Sequence, residues 1–344
     1  MSEASVRLPV AARTATRPRL GFLGVGWIGQ NRMEAIARSG LAEVTMICDA
    51  AAEIAARAHA AFPAAGSAAC FDDVLAADLD GVVIATPSAL HAEQAIAALE
   101  RGMAVFCQKP LGRTTAEVAA VVAAARRAGK LLAVDLSYRF TAAMQSVRDI
   151  VRSGELGEIY AGNVVFHNAY GPDKKWFYDP ALSGGGCVMD LGVHLVDAAL
   201  WTLGFPAVAR EGVSSRLYAA GKPLPPRPDV VEDYATARIV LATGASVELA
   251  CSWRLPVGQD CVIAAEFFGT KGGAAFRNVG GSFYDFIAER FDGTRRAVLA
   301  APPDAWPGRA GVEWARRLAA GEGFDPEVEQ LVAVAGVLDA IYGR

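Results

Sequence analysis

The sequence predicts an α/β protein with two domains. The first is built on a doubly wound parallel sheet, and the second is an α+β domain with a large, mostly antiparallel open sheet. In the first part of the chain, short apolar runs alternate with helical patterns, which is typical of a parallel sheet. A glycine-rich turn joins the first of those runs to the first helix. Beyond residue 138, extended runs bounded by glycines follow one another, which favours an antiparallel sheet.

The composition is that of an ordinary globular protein. The chain has 344 residues, of which 53% are hydrophobic and 20% are charged, enough for two cores. The net charge of −4 and the absence of a basic cluster interleaved with aromatic residues exclude nucleic acid as an expected partner. No apolar run approaches the roughly 20 residues that a membrane span needs, so we expect no membrane partner.

Domain limits follow from the same patterns. We expect residues 1–18 to form a disordered or loosely ordered arm, because they lack the apolar core of a signal peptide. Residues 19–137 would form the first domain and residues 138–344 the second. The six cysteines include no CxxC pair, and several lie in apolar runs. They are therefore expected to be buried and reduced, in a cytoplasmic protein.

The first apolar run, Leu20 to Val25, leads into the pattern GxGxxG at Gly24, Gly26 and Gly29. A strand, this glycine turn and a helix in succession indicate a dinucleotide-binding Rossmann domain. Gly24 permits the tight turn, Gly26 lets the backbone approach a pyrophosphate, and Gly29 lets the helix pack on the strand.

The helix that follows is predicted to span Ile28 to Arg38, directly after Trp27. The free N–H groups of its first turn would bind the cofactor's phosphates.

The second strand, Glu43 to Cys48, ends at Asp49. An acidic residue at this position can accept hydrogen bonds from the ribose hydroxyls of adenosine and repels a 2′-phosphate. Alanines at positions 50–52 leave no adjacent arginine for such a phosphate. The sequence therefore predicts NAD as the cofactor, with NADP the less favoured alternative.

The alternation continues to residue 135. The predicted strands span 81–85, 104–107 and 130–135, and the predicted helices end near 62 and span 91–102 and 114–128, with a short segment at 71–76. Two of the strands end in chemically distinctive loops, Thr86-Pro87-Ser88 and Gln108-Lys109-Pro110. Ligands of parallel sheets bind beyond the carboxyl ends of the strands. We therefore expect both loops, and the nearby His91, to face the crevice of the glycine turn.

The second domain is predicted from a change in pattern. Extended runs cover 159–168, 210–218, 232–241, 246–253, 261–268 and 283–291, and helical patterns cover 141–153, 306–320 and 326–342. The proline-rich stretch 222–228 is expected to be a loop.

Between these runs lies the stretch Ser183 to Trp201, which predicts a helix with ionisable side chains on one face. At 3.6 residues per turn, Asp190, His194, Asp197 and Trp201 share a stripe. A carboxylate one turn from an imidazole can orient it and raise its basicity, which gives a candidate acid/base centre. The alternative is a first-turn carboxylate and a core histidine. The preceding glycines, 184–186, are interpreted as room for nicotinamide or substrate.

The loop 169–182 carries Tyr170, Lys174, Lys175, Trp176 and Tyr178. Aromatic rings stack on sugar faces and lysines bind hydroxyls or carboxylates. The loop is therefore a candidate for substrate specificity, with Tyr170 and Trp176 as binding residues, or for an oligomer contact. His167 and Arg139 are weaker candidates, the second of which could simply pair with a carboxylate.

Together the motifs GVGWIG at 24–29, TPSALH at 86–91, QKP at 108–110, YRF at 138–140 and GGGCVMDLGVHLVD at 184–197 resemble those of the Gfo/Idh/MocA oxidoreductases. The resemblance implies a Rossmann domain followed by an α/β domain whose sheet mediates homodimers or homotetramers. It also implies hydride transfer between NAD(H) or NADP(H) and a hydroxyl carbon of a sugar, inositol or related polyol.

The resemblance further implies a catalytic group of Lys109, Asp190 and His194, which match the family's lysine, aspartate and histidine. A base is needed with a pKa near 7, and a histidine is the natural one. His194 would act as the general acid/base, Asp190 would orient it or bind a neighbouring hydroxyl, and Lys109 would stabilise the alkoxide. Gln108 stands where the family usually has glutamate. This removes a negative charge beside Lys109, makes its proton easier to lose and predicts a lower pH optimum than in relatives.

Two other activities fit such a chain: an NAD-dependent glycoside hydrolase that uses transient oxidation, or a non-catalytic NAD(P)-binding regulatory protein. The regulatory alternative predicts loss of the Lys109, Asp190 and His194 group, which is complete here. A metal site of Asp190, His194 and His167 is not expected, because no third ligand lies at helical spacing.

Overall fold

A computed structural model describes residues 17–225 and 229–344. The predicted N-terminal arm, residues 1–18, lies outside the described residues except for its last two positions. The end of the predicted proline-rich loop, residues 226–228, also lies outside them. Its beginning is a short strand rather than a loop.

The first sheet contains six parallel strands in the order β3-β2-β1-β4-β5-β6. The strands are β1 Arg19–Leu23, β2 Glu43–Cys48, β3 Gly66–Ser67, β4 Gly81–Ile84, β5 Ala104–Cys107 and β6 Leu132–Val134. The doubly wound sheet is therefore confirmed. Its order reverses between β1 and β4, and such switch points are where ligands bind in open α/β sheets.

Five helices cross between these strands: α1 Trp27–Ser39, α2 Ala52–Ala61, α3 Phe71–Ala76, α4 Ser88–Glu100 and α5 Thr115–Ala128. The ends of α5 illustrate how local sequence sets the boundaries. The Thr114 hydroxyl accepts a hydrogen bond from the Glu117 N–H, and Gly129 adopts a left-handed conformation with φ of 63°. A capping hydroxyl at the start of a helix and a left-handed glycine at its end are both standard signals.

The second sheet has nine strands in the order β15-β14-β13-β12-β7-β11-β10-β8-β9. Their bounds are β7 Ile159–Asn168, β8 Val208–Ala219, β9 Lys222–Pro223, β10 Tyr234–Leu241, β11 Ser246–Ser252, β12 Cys261–Gly269, β13 Gly272–Asn278, β14 Phe286–Asp292 and β15 Arg295–Ala300. Only β7 and β11 are parallel to each other, so the mostly antiparallel sheet is confirmed.

The helices that pack against this sheet are α6 Ala142–Arg152, α8 Val193–Leu203 and α10 Gln330–Tyr342. The short helix α7 Pro180–Ser183 contacts α4, and α9 Arg309–Ala319 contacts α1 and β5 of the first domain. A π-helical turn lies at Val188–Gly192, and 3₁₀ turns lie at Ser137–Phe140, Lys175–Tyr178 and Pro326–Glu329.

The last helices also contact the first domain. Trp314 of α9 is 1% exposed and lies in one core with residues of the parallel sheet, and its ring centroid is 5.8 Å from that of Phe106. The predicted boundary between residues 137 and 138 stays a prediction. Helix α9, although it follows the second sheet in the chain, packs on the parallel sheet of the first domain.

The segment Pro180–Leu203 corrects one sequence-based expectation. By length and composition alone, this helical segment is long and apolar enough to span a membrane, although no such run was predicted. The segment is mostly buried inside the protein. Its apolar character therefore fits a core helix, with the sheet of β7 and β11 on one side and α6 and α10 on the other.

Candidate active site

The glycine turn between β1 and α1 has the shape that a dinucleotide needs. Gly24 has a φ of 80°, and a Cβ there would lie 2.6 Å from the Ala85 carbonyl oxygen. A Cβ on Gly29 would lie 2.0 Å from the Gly24 oxygen, so both positions require glycine. Among the described residues, the N–H groups of Trp27 and Ile28 have no recorded acceptor, and the first turn of α1 carries no acidic residue. These features fit a pyrophosphate.

Asp49 follows β2 at the edge of this turn. One carboxylate oxygen accepts a hydrogen bond from the Val25 N–H at 2.8 Å, and the other accepts one from Ala51 at 2.9 Å. The side chain therefore braces the glycine turn from the position predicted for ribose binding. Each carboxylate oxygen retains further acceptor capacity for hydroxyl donors.

The loop after β4 lies directly beside Gly24. A Cβ at that glycine would lie 2.9 Å from the Thr86 nitrogen. The Thr86 hydroxyl hydrogen-bonds Gln94 at 2.6 Å, and Pro87 and Ser88 start α4, where Ser88 is buried.

The buried His91 ties this loop to the next one. Its two ring nitrogens lie 2.7 Å from the Pro110 oxygen and 2.7 Å from the Thr86 oxygen. The imidazole therefore spans the strand-end loops after β4 and β5, which keeps Lys109 at a fixed height above the sheet. Both ring nitrogens are occupied by these oxygens, and the predicted contact of His91 with the cofactor stays a prediction.

Lys109 extends from the end of β5 to the second domain. Its Nζ donates to an Asp190 carboxylate oxygen at 2.6 Å and to the Asp190 backbone oxygen at 2.8 Å. Both side chains are largely buried, with 19% and 15% of their side-chain surfaces exposed. The second carboxylate oxygen of Asp190 accepts a hydrogen bond from the Trp253 indole at 3.1 Å. The ion pair thus joins the two domains at the crevice.

The sequence predicted that Asp190 would orient His194 or bind a neighbouring hydroxyl, and the part of the chain that the structure describes shows no hydrogen bond of the first kind. The hydrogen bonds recorded among the described residues include none between the two, and Asp190 instead contacts Lys109 and Trp253. Asp190 lies in the π-helical turn Val188–Gly192, and His194 follows it in the regular α-helix. A π turn holds more residues than an α turn, so the stripe predicted from a uniform period of 3.6 residues does not apply across it.

His194 begins the regular part of α8 and packs edge-on against Tyr138, with ring centroids 5.0 Å apart. Burial lowers the pKa of His194 well below its ordinary value of 6.5, and the positive charges of Lys109 and Arg32 lower it further. The sequence predicted a base with a pKa near 7. His194 is instead a weaker base, which is neutral at neutral pH. A neutral imidazole in this position can accept a proton.

The interpretation of the three glycines before this helix is wrong. A Cβ would lie 2.7 Å from the Arg113 side chain at Gly184, 2.0 Å from the Tyr342 hydroxyl at Gly185 and 1.9 Å from the Glu232 backbone oxygen at Gly186. The space above these glycines is filled by the protein itself rather than reserved for nicotinamide or substrate.

Glu232 explains this close approach. Its buried carboxylate accepts hydrogen bonds from the Gly186 and Val188 N–H groups at 3.0 and 2.9 Å and from the Tyr342 hydroxyl at 2.8 Å. Burial raises its pKa, and these donors act in the opposite direction. Glu232 therefore caps the π turn that carries Asp190.

Gln108 belongs to a buried polar network beneath Lys109. Its amide donates to the Asp135 carboxylate, which also accepts hydrogen bonds from Arg32 and Ser137. Asp135 is 2% exposed and Gln108 is 8% exposed. The carboxylate that this loop lacks at position 108 is thus present at position 135, where Arg32 balances it.

Gln108→Glu is expected to destabilise the protein by about 2–4 kcal/mol at pH 8, because it places a second carboxylate against buried Asp135, whose charge is balanced by Arg32. The new side chain would have a raised folded-state pKa. Its destabilising effect is therefore full above that pKa and shrinks as the pH falls toward about 4.3. Urea unfolding at pH 8 and pH 5.5 measures the difference.

Gln108→Met is the matched control, since it removes the hydrogen bond without adding a charge. Its loss of stability should be the same at both pH values. Equal stability of Gln108→Glu and wild type at pH 8 contradicts the network. The activity profile of Gln108→Glu also tests the lower pH optimum, which stays a prediction.

The loop between β7 and α7 is fastened to the site by its aromatic residues. Trp176 stacks on Phe177 with ring centroids 3.8 Å apart, and Phe177 meets Trp253 edge-on at 6.3 Å. Tyr170 is 51% exposed and packs near Phe283. Trp176 is thus linked to the partner of Asp190, whereas Tyr170 lies toward the large sheet. Their predicted role as substrate-binding residues stays a prediction.

The weaker candidates lie outside the Lys109 group. The Nδ1 of His167 is 2.7 Å from the Ser252 hydroxyl. Arg139 makes a buried two-pronged ion pair with Asp197, and its guanidinium lies 5.6 Å from the Trp201 ring. Asp197 and Trp201 therefore both contact Arg139, the first by an ion pair and the second by packing. The described residues contain no cluster of three or more potential metal ligands.

Sequence analysis missed Trp253, Glu232 and the Arg32–Asp135 pair. Two signals for them are nevertheless present. Trp253 and Asp135 each stand at the end of a predicted strand, where polar side chains meet a crevice. Arg32 lies on the otherwise buried face of α1 with Met33 and Ile36, and a buried arginine requires a partner. Glu232 gave no comparable signal.

Comparisons with known proteins agree with this arrangement. Residues 19–136 match the family described as "Oxidoreductase family, NAD-binding Rossmann fold", and residues 144–275 match the "GFO/IDH/MocA C-terminal domain". D-glucoside 3-dehydrogenase of Escherichia coli strain K12 is 30% identical over 279 residues, covering 77% of this chain and 78% of that protein.

Two solved structures have the same fold. GenD2 from gentamicin A biosynthesis, in complex with NAD, superposes with a TM-score of 0.80 at 25% identity over 98% of this chain and 97% of that one. Levoglucosan dehydrogenase with NADH and L-sorbose has a TM-score of 0.80 at 25% identity, covering 94% of this chain and 95% of that one.

Proposed function

Since the chain belongs to the Gfo/Idh/MocA family of NAD(P)-dependent oxidoreductases, we propose that it is an NAD-dependent dehydrogenase. It would act on a secondary alcohol carbon of a sugar, inositol or related polyol, with His194 as general acid/base. The observation that carries this proposal is the ion pair between Lys109 and Asp190, which joins the end of β5 to the helix of His194. It brings both domains to one crevice beside the glycine turn.

In the oxidative direction, His194 accepts the proton of the substrate hydroxyl. Its lowered pKa keeps it neutral and ready to do so at neutral pH. In the reductive direction the imidazolium returns that proton to the carbonyl oxygen. When bound, the nicotinamide ring supplies the acceptor for the hydride that leaves the substrate carbon.

Lys109 stabilises the negative charge that develops on the substrate oxygen. Its ammonium has three donors, two of which are engaged by the Asp190 side chain and backbone at 2.6 and 2.8 Å. The third is free to donate to an alkoxide, in a site where burial strengthens the interaction. Asp190 acts on Lys109 by aiming the ammonium, and its oxygens are also suited to a neighbouring substrate hydroxyl.

The glycine turn and Asp49 support NAD as the preferred cofactor. Asp49 places a carboxylate beside Val25 at the turn, where it would repel a 2′-phosphate. Residues 24–29, the Thr86–Ser88 loop, His91, Gln108 and Lys109 would surround the dinucleotide.

The names of two relatives indicate which substrates to test first. D-glucoside 3-dehydrogenase and levoglucosan dehydrogenase are both named for oxidation of glucose derivatives. We therefore include glycosides and anhydrosugars with free sugars and inositols. The protein is further proposed to be cytoplasmic, in keeping with six free cysteines in the described residues, of which five are buried as expected and Cys70 is exposed contrary to expectation. We also propose that it forms dimers or tetramers through the large sheet.

The test is an assay of NAD and NADP reduction with a panel of inositols, aldoses, sugar acids, methyl glycosides and levoglucosan. At least one substrate should release NADH stoichiometrically, with kcat/KM higher for NAD than for NADP. No NADH or NADPH formation with any of them, in either direction, contradicts a dehydrogenase of this class. Glycoside cleavage without net NADH release identifies a hydrolase that oxidises transiently.

A further inference from the structure

Lys174 in the loop of the second domain reaches the glycine turn of the first domain. Its Nζ lies 3.4 Å from the position that a Cβ would take on Gly26. Within the described residues, it is the only atom within 4 Å of that position apart from the chain neighbours and the turn's own helix. Gly26 is the glycine at which the backbone approaches a pyrophosphate. The ammonium therefore stands over the phosphate side of the turn.

The surroundings of Lys174 favour an anion. The first turn of α1 carries no acidic residue, and its N-terminal dipole attracts negative charge. In the described parts of the chain, no carboxylate forms an ion pair with Lys174, unlike Lys109, which is paired with Asp190. Two sources of positive potential thus face each other across the turn, and the nearby Asp49 carboxylate contacts the Val25 N–H rather than Lys174.

The loop that carries Lys174 is held in place on both sides. The Tyr178 hydroxyl donates to the Pro172 oxygen at 2.9 Å, Arg254 donates to that same hydroxyl at 3.1 Å, and the Tyr178 ring packs on Trp253 at 5.6 Å. Farther along, Arg113 of the first domain donates to the Ala181 oxygen at 2.6 Å. Lys174 is therefore carried by a loop that both domains hold in place.

We propose that Lys174 donates a charge-assisted hydrogen bond to the pyrophosphate of the dinucleotide and so closes the cofactor between the two domains. The inference rests on the proposed use of NAD(H), but not on the identity of the sugar. It assigns the loop a cofactor-binding residue in addition to its predicted part in substrate specificity. Lys174 would be a binding residue and would take no part in proton transfer.

The test compares Lys174→Gln with the matched control Lys175→Gln, the next lysine in the same exposed loop. Dissociation constants are measured without turnover for NADH, ADP-ribose and adenosine, after thermal melting shows that both variants are folded. Lys174→Gln should weaken NADH and ADP-ribose by about tenfold or more, as expected for a hydrogen bond to a charged group. Adenosine, which lacks the pyrophosphate, should bind as to wild type, and Lys175→Gln should stay within about twofold for every ligand.

Salt dependence gives a second readout. The affinity of wild type for ADP-ribose should fall more steeply with NaCl than that of Lys174→Gln, because one screened charge pair is missing in the variant. Wild-type affinity for NADH in Lys174→Gln, or an equal loss for adenosine, overturns the assignment of Lys174 alone. A wild-type protein that binds neither NADH nor ADP-ribose overturns both this inference and the proposed function.

Discussion

His194→Asn is expected to lower kcat for sugar oxidation by about 10²–10⁴-fold, the usual contribution of a positioned acid/base. Asparagine is close to histidine in size but does not accept a proton at neutral pH. The binding of NADH should change little, since the ring neighbours of His194, Tyr138 and Phe166, lie outside the glycine turn. Steady-state kinetics with NAD and the best substrate of the panel measures the loss.

The pH profile separates catalysis from structure. Because burial, Lys109 and Arg32 lower the pKa of His194, wild-type kcat/KM should stay level as the pH falls from 8 to 6.5 and decline only below that. The decline should vanish in His194→Asn. The control is His167→Asn, which alters another half-buried histidine of lowered pKa and should leave the profile intact. A His194→Asn activity within a few-fold of wild type excludes this residue as the base.

Lys109→Met is expected to lower kcat/KM by about 10²–10³-fold, because it removes the donor that stabilises the developing alkoxide. It also removes a positive charge that lowers the pKa of His194. That pKa should rise, so the acidic decline of the residual activity should move to higher pH than in wild type. A residue that acted only through packing would not move this limb.

Lys109→Arg and Lys175→Met are the companion variants. Arginine keeps the charge, so the acidic limb should stay near its wild-type position even where the rate falls. Lys175 is an exposed loop lysine, and its replacement should leave both rate and profile unchanged. Full activity in Lys109→Met, or a limb that does not move, rejects the assigned role.

Much of the fold was predictable because each pattern was long and consistent. The alternation that gives β1, β2, β4, β5 and β6 depends on burial of both faces of a parallel sheet. β7 matches its predicted bounds, Ile159–Asn168. β13 and β15 were missed for physical reasons. The first begins with two glycines and two alanines, and the second is exposed along nearly its whole length, so neither shows a clear alternation.

The site was predictable in its components but not in its contacts. Strand ends and the glycine turn placed Lys109, Asp49 and the Thr86 loop in one crevice. Which side chain Asp190 would face depended on the winding of one helical turn. That winding depends on distant partners such as Glu232, which lies 46 and 44 positions beyond Gly186 and Val188, from whose N–H groups it accepts hydrogen bonds. Periodicity assumes a uniform helix, so this departure was beyond its reach.

The π turn at Val188–Gly192 can be regarded as one extra residue inserted into an otherwise α-helical sequence. Deleting a residue there would let the segment rewind as an uninterrupted α-helix, and each residue in such a helix turns the chain by about 100°. The residues of α8 would keep their places in the core, whereas the turn that carries Asp190 toward Lys109 would be lost. The extra residue therefore sets the orientation of Asp190 relative to the α-helix that follows. It allows a single helix to face Lys109 of the parallel-sheet domain at one end and Arg139 at the other.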